Sequence, residues 1–102
     1  MKINIHAKGF HIKEDETQYV NQKMEKITNL AKRLKDESSE IKVEIDKNDT
    51  KKKEETITCI ITLFIPHSTI RGVAKGMLVK ETVDLAKQKL IPQIEEYKAK
   101  LG

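Results

Sequence analysis

The stretch VKETVDLAKQKLIPQIEEYKAKL, residues 79–101, decides how the chain folds. Set at about 100° per residue, it places Val79, Val83, Ala86, Leu90, Ile94, Tyr97 and Leu101 in one narrow stripe. That is the pattern of a helix that buries one side. Lys80, Lys87 and Lys98 line one flank of the stripe, and Lys89 and Lys100 line the other. Pro92 removes one helical hydrogen bond, so a kink is expected there. Such a helix needs an apolar surface to lie on, and the rest of the chain must supply it.

Working outward, Lys2 to Lys8 alternates, with Ile3, Ile5 and Ala7 on one side, and reads as a strand. After Gly9 comes the acidic run KEDET at 13–17, which suits the positive end of a helix dipole. Asp15 is its best cap by residue type. Val20, Met24, Ile27, Leu30, Ala31 and Leu34 recur at spacings of helical period and predict a helix over about 16–35, with Tyr19 at its edge. Lys23, Lys26 and Arg33 lie beside its apolar face, and Lys32 and Lys35 on the far border. Residues 36–39 form a polar turn.

Glu40 to Lys47 alternates again, with Ile41, Val43 and Ile45 inward. NDTKKKEE at 48–55 reads as a charged hairpin loop with its tip at Asn48-Asp49. Thr56 to Ile65 is the most apolar run, and its branched residues argue strand. Its odd positions from Ile57 to Ile65 form the core face, while Ile60 and Phe64 turn outward with Thr58 and Thr62. A turn at Pro66-His67-Ser68 leads to a last strand, Thr69 to Lys75, ended by Gly76. By parity, Ile70, Gly72 and Ala74 face inward, and Arg71, Val73 and Lys75 face outward.

The order β-α-β-β-β-α implies an α+β fold: a four-stranded mixed sheet with two helices packed on one face. A length of 102 residues suits one domain, 1–102. With two Tyr, two Phe and no Trp, the core must come mainly from Ile, Leu and Val. Twenty cations face sixteen anions, a net +4, so the clustering of cations matters more than their total. Cys59 stands alone, which rules out an internal disulfide and suits a reducing, cytoplasmic setting. No signal-peptide pattern or membrane-length apolar run is present, and no membrane association is expected.

No constellation of catalytic residues emerges, so an enzyme is not expected. His6, His11 and His67 lack partners at ligand spacing, so no metal is expected. Glu44, Asp46, Glu95 and Glu96 are interleaved with lysines rather than paired for acid–base work. The four glycines are dispersed and make no phosphate-cradling loop. No cofactor or small-molecule substrate is implied. The lysine rows then have two readings. A charged helix flank is ordinarily a solvated surface. If the two helices lie side by side, however, Lys23, Lys26 and Arg33 join Lys80, Lys87 and Lys98 in one phosphate-binding surface. Arg71 and Lys75 either extend that patch at its edge or solvate the open sheet face.

The sequence also resembles the ribosome hibernation-promoting factor family, the ribosome-associated inhibitors or ribosomal subunit interface proteins. YVNQKMEKITNLAKRL places Tyr19, Lys23, Lys26 and Arg33 as in the family's first helix. IKVEIDK at 41–47, IRGVAKG at 70–76 and KLIPQIEEYKAKL at 89–101 are similar to its second strand, last strand and basic C-terminal helix. Where the family commonly has an Asp-x-Tyr-type segment, this chain has Met77, Leu78, Val79 and Lys80, and Asp84 matches the acidic position further on. The resemblance implies binding to rRNA of the small ribosomal subunit, in the channel of tRNA and mRNA, so that an idle ribosome cannot translate. It implies a protein that is monomeric off the ribosome. The chain stops at Gly102, without the C-terminal module by which long members pair ribosomes, so self-driven ribosome dimerisation is not expected. The competing readings are a general duplex-RNA binder and a regulatory protein that docks another protein on its open sheet.

Overall fold

Four stretches alternate branched apolar residues with polar ones, and each forms a strand that turns its apolar side to a common face. The structure, a computed structural model, describes residues 1–48 and 56–101. It contains β1 (Lys2–Lys8), α1 (Glu14–Leu30), β2 (Glu40–Lys47), β3 (Ile57–Ile65), β4 (Ser68–Gly76) and α2 (Val79–Leu101). The strands lie in the order β1-β2-β3-β4. β1 runs parallel to β2, and the other two pairs are antiparallel. The expected element order and mixed sheet are both present. The expected hairpin tip at Asn48-Asp49 and the KKKEE run fall largely at 49–55, outside the described residues.

Register explains where α2 sits. One row of inward residues runs Ile5, Val43, Ile61, Gly72, and another runs Ala7, Ile45, Cys59, Ala74. Both rows end in a small residue on β4. A Cβ on Gly72 would stand 2.4 Å from the Ala86 carbonyl oxygen and 3.1 Å from the Leu90 nitrogen. The α2 backbone therefore rests directly on β4. Val79, Val83, Ala86, Leu90 and Ile94 are buried as the stripe requires. Thr82 joins them, and its hydroxyl donates to the Leu78 carbonyl at 2.7 Å. Tyr97 is half-buried, its hydroxyl donating to the Pro66 carbonyl at 3.4 Å. Leu101, expected in the stripe, is instead 64% exposed. A 23-residue helix spans about 34 Å and outruns a nine-residue strand of about 30 Å. The helix continues unbroken through Pro92. Just beyond it, the Gln93 amide donates to the carbonyls of Lys89 at 3.1 Å and of Arg71 at 2.6 Å.

α1 lies beside α2 and buries Val20, Met24 and Ile27. Its ends differ from the expectation. Lys13, not Asp15, is the N-cap, and the Glu16 carboxylate accepts the Lys13 N–H at 2.9 Å. The helix stops at Leu30 rather than near Lys35. Asp36 and the two serines compete with helical bonding at this end. The Asp36 carboxylate accepts the Ser38 N–H at 2.8 Å and hydroxyl at 2.7 Å, and the Ser39 hydroxyl accepts the Asp36 N–H at 2.9 Å. The bonds donated to it, the Ser38 hydroxyl's foremost, hold the Asp36 carboxyl below its ordinary value. Ala31 and Leu34 stay buried in the turns, so the apolar period outlasts the helix.

β4 takes in Ser68 and Gly76, one residue beyond the expected strand at each end. The β3–β4 hairpin closes on Pro66 and His67, with Ile65 opposite Ser68. His67 has φ 66°, and Pro followed by a positive φ is the arrangement of a type II turn. On the open face, Phe64 and Val73 are exposed and Ile60 is half-buried, as the parity implies. Thr62 departs from that pattern: it is buried there, and among the described residues its hydroxyl has no hydrogen-bond partner.

Two substitutions test these features by chemical denaturation. Gly72→Ala forces a methyl into the α2 backbone and lowers the unfolding free energy by about 1–3 kcal/mol. Thr62→Val removes an orphaned hydroxyl at nearly constant shape and raises it by about 1 kcal/mol.

Candidate nucleic-acid interface

The two helices run in the same direction and in step. Near their starts, the Lys80 ammonium meets the Asp15 carboxylate at 3.0 Å. One turn on, the Tyr19 hydroxyl donates to Asp84 Oδ2 at 2.6 Å, and Lys23 Nζ stands 3.7 Å from Asp84 Oδ1. At the far end, Arg33 and Lys98 share a depression of about 190 Å³ with Leu34 and Leu101. The inner flanks of both helices therefore face one another. Lys23, Lys26 and Arg33 from one side and Lys80, Lys87 and Lys98 from the other border a single groove.

Charge within that groove is unevenly compensated. Tyr19 carries two ammonium groups near its ring, Lys23 at 5.1 Å and Lys80 at 5.5 Å from the centroid, within cation–π range. Its hydrogen bond to Asp84, helped by burial, pushes the phenol above its ordinary value. Asp15 is held below the usual carboxylate value, first by its hydrogen bond from Lys80. Lys98 pairs with Glu95 at 3.8 Å. Among the described residues, Lys26, Arg33 and Lys87 make no ion pair. Lys87 is half-buried, and its ammonium is held below 10.5 by burial first and then by repulsion from Lys23 and Lys26, against the pull of Asp84. The groove thus keeps three ammonium groups close together at a cost in stability. That arrangement suits a polyanion, whose arrival would relieve the repulsion.

The other two expected contacts do not join this groove. Arg71 and Lys75 stand opposite Thr62 and Thr58 on the open sheet face, behind the helices. Lys75 shares a shallow depression there with His6, Lys8, Glu44 and Asp46, where the charge is mixed. On the outer flank of α2, Lys100 pairs with Glu96 at 3.6 Å and Lys89 is exposed. All three histidines are exposed, and among the described residues no group of three or more His, Cys, Asp or Glu is placed to hold a metal. Burial pushes the Cys59 thiol up to about 12, far from a reactive thiolate. Sequence reasoning missed Asp15 and the Tyr19–Asp84 bond as parts of the groove. The acidic residue at 84 was visible, but no spacing along the chain ties it to Tyr19.

Residues 3–102 match the family described as Sigma 54 modulation protein / S30EA ribosomal protein. Among solved structures, the chain is similar to a ribosomal subunit interface protein from Coxiella burnetii, at 24% identity and a TM-score of 0.79, with 97% of this chain and 99% of that one covered. It is also similar to the N-terminal domain of Protein Y from Thermus thermophilus, at 18% identity and a TM-score of 0.72, with 95% and 99% covered. At these identities the likeness is one of fold. No curated protein matches the sequence.

The crowding at Lys87 has a measurable sign. A lysine whose ammonium is disfavoured in the fold destabilises the native state while it stays charged there, and that cost is relieved as pH climbs towards 10.5. Lys87→Gln removes the cost, so its thermal midpoint at pH 7 equals or exceeds that of the unaltered chain. The difference shrinks when the two are compared near pH 10.

Proposed function

The chain belongs to the sigma 54 modulation protein / S30EA ribosomal protein family, and we propose that it occupies the tRNA and mRNA channel of the small ribosomal subunit and keeps idle ribosomes inactive. The family is one of ribosome-associated, ribosome-binding factors and not of enzymes. Its mode of action on this reading is steric: the folded domain fills space that tRNA and mRNA need. It acts in the cytoplasm as a monomer and uses no cofactor.

The observation that carries the proposal is the groove between the parallel helices. There, among the described residues, Lys26, Lys87 and Arg33 stand without carboxylate partners, and Lys23, Lys80 and Lys98 stand beside them. Each cation that meets an rRNA phosphate releases counterions, so several together bind firmly without reading bases. Affinity must then fall steeply with salt. The leading strand β1, paired parallel to β2, argues against the usual duplex-RNA module, which has three strands and no such leading strand. Arg71 and Lys75 belong to a different face. On this reading they are secondary contacts at most, made where the subunit surrounds the domain.

Sedimentation with purified small subunits, and with duplex RNA of equal phosphate content, at several salt concentrations tests the proposal. Preference for the subunit is expected; preference for duplex RNA, or no subunit binding at low salt, overturns it. Replacing Lys23, Lys26 and Lys87 together by Gln should weaken subunit binding and flatten its salt slope by about one for each phosphate left without a cation. The melting temperature should change little. Unchanged binding with collapsed stability would assign these lysines a structural role instead.

A further inference from the structure

The groove contains a negative charge where a phosphate-binding surface has least use for one. We infer that Asp84 is a specificity-determining residue: its carboxylate, fixed by the Tyr19 hydroxyl, keeps phosphate away from one section of the cation row. The inference rests on the groove being the RNA-binding surface.

The geometry supports it in three ways. First, Asp84 is held rather than free to swing aside. The 2.6 Å bond from Tyr19 is short and charge-assisted, and it crosses from one helix to the other. Second, Asp84 sits between Lys80 and Lys87 along α2, and it neutralises Lys23 at 3.7 Å while Asp15 neutralises Lys80 at 3.0 Å. The start of the groove is therefore self-paired. Third, the cations without ion pairs lie beyond it: Lys26 with Lys87, and then Arg33, which shares a depression with Lys98, about 16 Å along α2 from Lys87. A uniformly charged polyanion laid along the groove must bring a phosphate against Asp84, and like charges brought together are costly. A folded RNA surface that presents phosphates to the later seats and a gap to the first meets no such penalty. Discrimination then comes from a built-in repulsion as well as from attraction.

The test uses the full chain, with purified small subunits and duplex RNA of equal phosphate content as probes. Asp84→Asn is close to isosteric and removes the charge. It should bind duplex RNA roughly threefold to tenfold tighter at low salt, because the repulsion is gone and Lys23 is released. The salt slope should steepen by about one. Subunit affinity should rise less, so the subunit-to-duplex ratio falls. Asp84→Ser, a second neutral replacement, should behave alike, and Asp84→Glu, which keeps the charge, should retain the ratio. Tyr19→Phe, which keeps the Asp84 charge but frees its carboxylate to swing aside, should tighten duplex binding in the same direction by less than Asp84→Asn does. If Asp84 only braces the helices, the neutral variants lose thermal stability and lose affinity for both RNAs in proportion. That result, or an unchanged duplex affinity, overturns the inference. Failure of the unaltered protein to bind subunits counts against the proposed function instead, and the duplex arm still measures the repulsion at Asp84.

Discussion

Everything in this fold depends on a contact between two backbones. At Gly72 there is no side chain to hold α2 away from β4, and the helix settles with the Ala86 carbonyl and Leu90 nitrogen against the strand. Helix and sheet both bring small residues to that spot, Ala86 from above and Gly72 from below. The closeness fixes the depth of α2, which in turn sets where α1 can lean. Because α1 touches α2 and the β1 side of the sheet, its placement follows from that of its neighbour. The groove is the exposed seam of this packing, so its width is a consequence of the core.

The same packing explains why the groove's charges behave unequally. Exposed ion pairs contribute little to stability. The contacts that matter in the seam are those partly withdrawn from water: the Tyr19 hydroxyl on Asp84, and the Lys87 ammonium near Lys23 and Lys26. One of these is favourable and ties the helices together. The other is unfavourable and lies a turn further on. A surface shaped for stability alone would have given Lys87 a carboxylate not already shared with Tyr19 and Lys23, or a neutral residue in its stead.

Much of this was legible in the sequence, because period-2 and period-3.6 apolar patterns report directly on which side of an element is buried. The inward sets of all four strands and the stripes of both helices were readable that way. Element ends were less so. Ala31 and Leu34 keep helical spacing although the chain there makes turns, since a turn on a core surface must also bury its apolar residues. Asp15 has the residue type of a cap, yet it is drawn to Lys80, which lies 65 positions away in the chain. Leu101 follows the stripe in phase but passes the end of the sheet. Among the candidate contacts, the two helical rows were identifiable only as flanks. That they face each other is set by the parallel packing, which no local pattern encodes. Arg71 and Lys75 were assigned the correct face by parity, and that face turned out to be the one away from the groove.

The bond from Gln93 to Arg71 bears on the open edge of the sheet. β4 has a strand neighbour on one side only, and an edge strand with free carbonyls is a template onto which another chain can add. Pro92 leaves a helical carbonyl without its usual donor, and the next residue sends its side-chain amide across to the strand at 2.6 Å. A main-chain acceptor on the edge is thereby occupied from within the molecule. The helix that settles the fold also covers part of the sheet's border, leaving one main-chain acceptor fewer for an added strand to pair with.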